Sequence, residues 1–84
     1  MKKILMPKLG LIMEEGTLVK WYKAEGDIFK EGEMLFEVET EKIVNDIEAT
    51  FNGKLVKILV KEGNTVPVLT PVAEAEENNI ERKP

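Results

Sequence analysis

The sequence predicts an all-β domain: a flattened barrel-sandwich of two antiparallel sheets, built from two halves related by a quasi-twofold axis. Three observations lead there. Residues 16–39 and 53–76 align with a shift of 37, with identities at Gly16/Gly53, Leu18/Leu55, Val19/Val56, Lys20/Lys57, Glu25/Glu62, Gly26/Gly63, Glu37/Glu74 and Glu39/Glu76. Short runs alternate apolar and polar residues, the period of a half-buried strand. Glycine-containing turns separate them at short intervals, and no run keeps a helical period, which points to a sandwich or barrel of seven or eight short strands.

Lys2 to Met6 reads as the first strand, ending at Pro7, which lacks a ladder donor. Leu9 to Met13 is an apolar loop around Gly10. Gly16 opens a strand over Thr17 to Lys23, with Val19 and Trp21 expected inward and Lys20 and Tyr22 outward. Ala24 to Asp27 is a turn, Ile28-Phe29 a short strand, and Lys30 to Glu33 a second turn. Met34 to Glu39 alternates with Met34, Phe36 and Val38 on one face and Glu37 and Glu39 on the other. Thr40-Glu41-Lys42-Ile43 reverses the chain. Val44 to Ala49 comes next, with Ile47 and Ala49 inward. Asn52-Gly53 is a strong hairpin signal. Lys54 to Val60 places Val56, Ile58 and Val60 in phase. Glu62-Gly63-Asn64 turns, Val66 to Leu69 is a short strand broken by Pro67, and Val72 to Glu76 is the last strand. Gly16, Gly26, Gly53 and Gly63 read as turn glycines, and Asp46 and Glu48 as solvated positions. Residues 1–76 form the domain, and the polar residues 77–84 read as the start of a linker. The quasi-twofold relates the Lys42 turn to the region near Asn79, so the lysine and the C-terminus are expected at opposite ends.

Composition narrows function. The 84 residues carry a formal net charge of −4. A chain of this length buries about two-thirds of its unfolded surface, which leaves no room for an interior substrate pocket of several hundred Å³. Acidity argues against nucleic acid and against anionic membrane surfaces, and no apolar run approaches a membrane span. The chain has no His, Cys or Ser. That excludes Ser–His and Cys–His nucleophilic machinery and His/Cys zinc sites, so no catalytic or metal-ligating residue is assigned. It also suits a reducing, cytoplasmic location.

Lys42 lies between the two copies, at a turn. The plain alternative is a solvated turn charge. The functional reading is a display: paired strands fix the backbone while the ε-amine stays free to be acylated, and acylation turns it into a long neutral tether. Glu37, Glu39 and Glu41 are either a recognition patch or a solvated strand face. The loop Leu9 to Met13 either packs over the barrel end or touches partners. Trp21 reads as core, since Ile58 is its equivalent in the second copy.

Met6-Pro7-Lys8-Leu9-Gly10, Met13-Glu14-Glu15-Gly16-Thr17, Trp21, Glu25-Gly26-Asp27, Gly32, Glu37-Val38-Glu39-Thr40-Glu41-Lys42, Asn52-Gly53, Glu62-Gly63 and Val66-Pro67-Val68 together resemble the lipoyl domain of 2-oxo acid dehydrogenase complexes, over residues 1–76. Three positions depart from that pattern. Glu41 stands in place of the usual Asp, Ile43 in place of Ala or Val, and Leu69 where glycine is common and where Gly32 sits in the first copy.

The resemblance implies that lipoic acid is joined to Lys42 by an amide and that the domain is a carrier, not an enzyme by itself. It implies excision from a dihydrolipoamide acyltransferase subunit of the pyruvate, other 2-oxo acid or acetoin type. It implies a swinging arm that is acylated at a thiamine-diphosphate-dependent decarboxylase, delivers to an acyltransferase core and is reoxidised by dihydrolipoamide dehydrogenase. A lipoate ligase or lipoyl transferase is the implied modifying partner, with Glu39, Thr40, Glu41, Ile43, Leu9, Gly10 and Leu11 as candidate recognition residues. The isolated domain is expected to be monomeric. A biotin carrier shares the duplicated fold but places Met on both sides of its lysine, where this chain has Glu41 and Ile43. A pure interaction module and a small enzyme are the remaining rivals.

Overall fold

The computed structural model describes residues 1–78; residues 79–84, with the expected linker segment beyond 78 and the region near Asn79, lie outside the described residues. Among the described residues eight strands form: β1 Lys2–Leu5, β2 Glu15–Trp21, β3 Ile28–Phe29, β4 Met34–Glu39, β5 Val44–Glu48, β6 Gly53–Ile58, β7 Asn64–Pro67 and β8 Pro71–Glu77. They make two four-stranded antiparallel sheets, ordered β1-β8-β6-β3 and β5-β4-β2-β7. This is the expected two-sheet, all-β architecture.

The duplication runs through the hydrogen bonding. Exchanging β2 with β6, β4 with β8, β3 with β7 and β5 with β1 turns one sheet order into the other. The short strands are traded between halves: Phe29 of β3 pairs with Gly53, and Val66 of β7 pairs with Gly16. The identical glutamates do the same. Glu25 Oε2 accepts the Ile58 N–H at 2.8 Å, and Glu62 Oε2 accepts the Trp21 N–H at 2.8 Å, so each half supplies an acceptor to the other's strand. Gly26 N–H donates to the Leu55 carbonyl at 2.6 Å, and Gly63 N–H to the Leu18 carbonyl at 2.7 Å.

Four bulges correct the expected inward positions. Leu18 pairs with Val38 but Lys20 with Glu37, which leaves Val19 as an extra residue; Val56 is extra in the same way between Leu55 and Lys57. An extra residue moves the rest of its strand to the other face. Leu18 and Leu55 are therefore fully buried, while Val19 is exposed and Val56 half-buried. Leu35 and Val72 are the second bulged pair. Leu35-Phe36 and Val72-Ala73 each bury two successive residues, and Met34, expected inward, is exposed. Ile47 and Ala49 face inward as expected. Trp21 packs on the core with its ring 5.0 Å from Phe36, and its Nε1–H donates to the Val60 carbonyl at 2.9 Å.

Asn52-Gly53 is not a hairpin. β5 and β6 belong to different sheets, and Gly53 has no positive φ. Asn52 Oδ1 accepts the Glu31 N–H at 2.8 Å, fastening the crossover. Gly53 and Gly16 are strand residues, not turn residues. A Cβ on Gly53 would lie 2.5 Å from the Glu76 carbonyl oxygen, and one on Gly16 would lie 2.9 Å from both Met13 and Val38. Asp46 is not a plain solvated position either, since Tyr22 donates to its Oδ1 at 2.8 Å. Pro67 is tolerated because β7 is a sheet edge.

Candidate functional site

Lys42 stands at the tip of the β4–β5 hairpin. The last ladder pair is Glu39 with Val44, and the Thr40 N–H donates to the Ile43 carbonyl at 2.8 Å, which leaves Glu41 and Lys42 as the loop. Neither has positive φ, so the tip is not one of the mirror-image turns usual in two-residue hairpins. Thr40 supplies the missing closure. Its Oγ1 accepts the N–H groups of Lys42 at 3.3 Å and Ile43 at 3.2 Å. A threonine suits this role because β-branching stiffens χ1 and keeps the hydroxyl aimed at the tip. Lys42 is exposed, and among the described residues its ammonium makes no ion pair and no hydrogen bond. The amine is thus free on a fixed base.

The register also places the lysine along the barrel. Glu39 lies beside Thr17, Gly16 lies next to Thr17, and Gly16 packs under the Met6 sulfur. Met6 follows the last residue of β1, so Met1 and Lys2 sit at the other end, where Lys2 reaches Glu77 at 3.4 Å. The lysine turn and the described ends of the chain are on opposite ends of the barrel, as the quasi-twofold implies.

Two strips of chain flank a groove beside the lysine. One is the hairpin tip, Glu39 to Ile43. The other is the loop from Leu9 to Gly16. Thr17 and Thr65 also line it, their hydroxyl oxygens 2.7 Å apart. The groove is an open surface feature of about 660 Å³, outside the core. The loop divides its residues between two jobs. Leu9 and Met13 pack on the core, the Leu9 N–H donates to the Met13 sulfur at 3.1 Å, and the Met13 N–H donates to the Gly10 carbonyl at 3.2 Å. Leu11 and Ile12 project from that anchored base, 94% and 85% exposed.

Of the residues singled out from sequence, Glu39, Thr40, Glu41, Lys42, Ile43, Leu9 and Gly10 all line this groove, and Leu11 does not. The loop Leu9 to Met13, singled out as packing over the barrel end or touching partners, also brings Ile12 and Met13 to the groove, while sequence reasoning missed Glu14, Glu15, Gly16, Thr17 and Thr65 as lining residues. Thr65 had no readable signal, because the β2–β7 register brings it there from the other half. Gly16 had one in its identity with Gly53.

The chain matches the biotin-requiring enzyme family model, which covers biotin and lipoyl carriers, over residues 2–74. It is 43% identical over 75 residues to the dihydrolipoyllysine-residue succinyltransferase component of the 2-oxoglutarate dehydrogenase complex of Rickettsia conorii, covering 89% of this chain and 19% of that one. It is 43% identical over 70 residues to the acetyltransferase component of the acetoin cleaving system of Bacillus subtilis, covering 83% of this chain and 18% of that one. The chain therefore spans less than a fifth of the length of these relatives. The solution structure of the lipoyl domain of the 2-oxoglutarate dehydrogenase complex from Azotobacter vinelandii superimposes with a TM-score of 0.74 at 28% identity, covering 89% of this chain and 95% of that one.

Proposed function

Because the chain belongs to the biotin/lipoyl carrier family, as a lipoyl domain homologous to those of dihydrolipoamide acyltransferases, we propose that Lys42 is its attachment residue and that the domain serves a 2-oxo acid or acetoin dehydrogenase complex. Lipoyl domains carry lipoic acid covalently on a lysine, and the residues here fit that group. One observation carries the proposal: Lys42 presents an unpaired, exposed ammonium at a hairpin tip whose backbone is tied by the Thr40 hydroxyl. When bound, the lipoyl group supplies acyl transfer and two-electron redox chemistry.

The chain's own residues supply presentation. Thr40 fixes the tip, so that a modifying enzyme meets one backbone shape. Glu39 and Glu41 flank the amine with negative charge, Ile43, Leu9 and Gly10 line the groove beside it, and Leu11 stands exposed on the same loop outside that groove. These seven residues are the proposed contacts for a lipoate ligase or lipoyl transferase and for the thiamine-dependent decarboxylase. The acyltransferase core and dihydrolipoamide dehydrogenase complete the proposed partners, in the cytoplasm. Placing the lysine and the described chain ends at opposite ends supports a carrier held at one end and loaded at the other, where tethering raises the effective concentration of the arm at each site.

The test is an intact mass after incubation with a lipoate ligase, lipoate and ATP. The parent gains a single lipoyl increment and Lys42→Arg gains none, while both give the same folded spectrum. An unmodified but folded parent overturns the proposal, and an increment gained only from a parallel biotin ligase assigns the lysine to biotin instead.

A further inference from the structure

We propose that Met13 is a modification site: a peroxide converts its thioether to the sulfoxide, and the change releases the Leu9–Met13 loop from the barrel. The inference goes beyond the carrier reading and stands without lipoylation of Lys42. It bears on function because the loop holds Leu9, Gly10 and Leu11, three of the proposed partner contacts.

The chain has four methionines, and they differ in access and in what their sulfurs do. Met6 is 0% exposed in the core, out of an oxidant's reach. Met1 and Met34 are 73% and 41% exposed, so a sulfoxide oxygen there meets water. Met13 combines access with use. It is half-buried and lines the open groove. Its Sδ accepts the Leu9 N–H at 3.1 Å. Its methyl packs over Gly16, where a Cβ would lie 2.9 Å from that methyl, 2.9 Å from Val38 Cγ1 and 3.0 Å from the Met6 sulfur. One thioether thus ties the start of the loop to its end, and the end to the core.

The step transfers one oxygen atom. The peroxide O–O bond breaks, an S–O bond forms, sulfur gives up two electrons, and the peroxide leaves as water or an alcohol. A flexible apolar side chain becomes a polar, chiral one. Oxygen on the lone pair that takes the Leu9 N–H drives Leu9 back from its seat on the core. Oxygen on the other lone pair sets a strong dipole beside a methyl packed against Val38 and Met6, where an unpartnered polar group is costly. It also draws electron density from a sulfur that is already a weak acceptor. Both epimers therefore loosen two bonds, Leu9 N–H to the Met13 sulfur and Met13 N–H to the Gly10 carbonyl at 3.2 Å. Leu11 and Ile12, exposed between them, then lose their fixed base.

The experiment treats the 84-residue chain and Met13→Leu with hydrogen peroxide. Leucine keeps the apolar volume and has no sulfur to oxidise. Peptide mass mapping follows each methionine, and NMR follows amide hydrogen exchange. Met13 should oxidise after Met1 and Met34 and well before Met6. Exchange at Leu9 and Met13 should then become about five-fold faster, the size expected for one lost hydrogen bond. The two epimer-specific methionine sulfoxide reductases should restore the original rates. Met13→Leu, oxidised at Met1 and Met34, should keep its own untreated rates. Unchanged exchange at Leu9 and Met13 after Met13 is oxidised overturns the proposal, as does a Met13 that resists oxidation until Met6 reacts. Equal acceleration in Met13→Leu also overturns it, by assigning the effect to Met1 or Met34.

Discussion

The sheet that holds Lys42 and the sheet that holds the chain's first and last strands share one frame and diverge on their outer faces. Both keep the paired glutamates of the repeat. In the terminal sheet, Glu74 lies between Lys3 and Lys57, and Glu76 lies opposite Lys54. In the lysine sheet, Glu37 has Lys20 on one side but Asp46 on the other, and Glu39 lies between Thr17 and Val44. The same side chain faces lysines across the ladder in one sheet and mixed neighbours in the other. Inward positions keep their burial while changing their residues: Leu18/Leu55, Leu35/Val72, Phe36/Ala73 and Val38/Ala75 are all buried, and only the first pair is identical. Packing holds the two copies to one burial pattern, whereas the cross-strand neighbours of the repeated glutamates have changed. The lysine turn lies in the sheet where those neighbours are not all basic.

The largest expected effect tests whether equivalent glycines are equally necessary. Gly53→Ala sets a Cβ against a backbone carbonyl oxygen at 2.5 Å, which cannot move without opening the sheet. It should cost about 3 kcal/mol, at the upper end for overpacking. Gly16→Ala meets the ends of Met13, Val38 and Met6 side chains, two of them flexible, and should cost about 1 kcal/mol. Urea unfolding followed by Trp21 fluorescence measures both, and equal losses would break the asymmetry.

Next come the exchanged glutamates. Glu25→Ala and Glu62→Ala each orphan one N–H on the opposite half. Each should destabilise by about 1 kcal/mol, and by nearly the same amount. Glutamine at either position should restore most of the loss. If Glu62→Ala alone is costly, the two halves are not energetically interchangeable.

A smaller effect separates two matching turns. Gly32 has φ 95° and its counterpart Leu69 has φ 69°, and both donate an equivalent bond, Gly32 N–H to Ala49 and Leu69 N–H to Met6, at 2.8 Å. A left-handed leucine carries a steric penalty of about 1–2 kcal/mol, and its side chain is mostly exposed, so little packing offsets it. After the unfolded-state entropy of glycine is subtracted, Leu69→Gly should stabilise by about 0.5 kcal/mol, while Gly32→Ala should destabilise by about 1 kcal/mol. Thermal melts read both signs.

The smallest effect is a pH dependence confined to the lysine sheet. The hydrogen bond to Asp46, then burial and the charges of Asp46 and Glu37, push the Tyr22 hydroxyl from 10.0 up to about 12. The folded state favours the neutral phenol. Its contribution is present in full below pH 10 and is lost as pH rises through about 12. A 295 nm titration should show the raised transition, and Tyr22→Phe should remove that part of the alkaline stability loss.

The repeat, the strand count and the lysine turn were all legible in the sequence, because identical residues at a constant shift survive any detail of pairing. The inward faces were legible only in part. Alternation alone cannot show that Val19, Leu35, Val56 and Val72 are bulged, since a bulge is set by the partner strand's register and not by the residue itself. Asn52-Gly53 misled for a related reason: a hairpin dipeptide can equally serve a crossover where a glycine is needed for close approach. The hairpin tip could be read because all its parts are local. The groove could not, because Thr65 arrives from a strand traded between halves.

That trade makes the chain order cyclic. β1 and β8 end side by side, with Lys2 opposite Ala75, much as β4 and β5 end at Glu39 and Val44. The described barrel has two equivalent tips, one crossed by the chain between β4 and β5 and the other formed by Lys2 of β1 and the end of β8. Circular permutants, joined across Met1 and Asn78 by a short linker and reopened at another turn, should rebuild the same two sheets. One reopened between Glu41 and Lys42 would place a new chain end at the amine, converting the display tip into a terminus and the old terminus into a loop on which a second lysine could be presented.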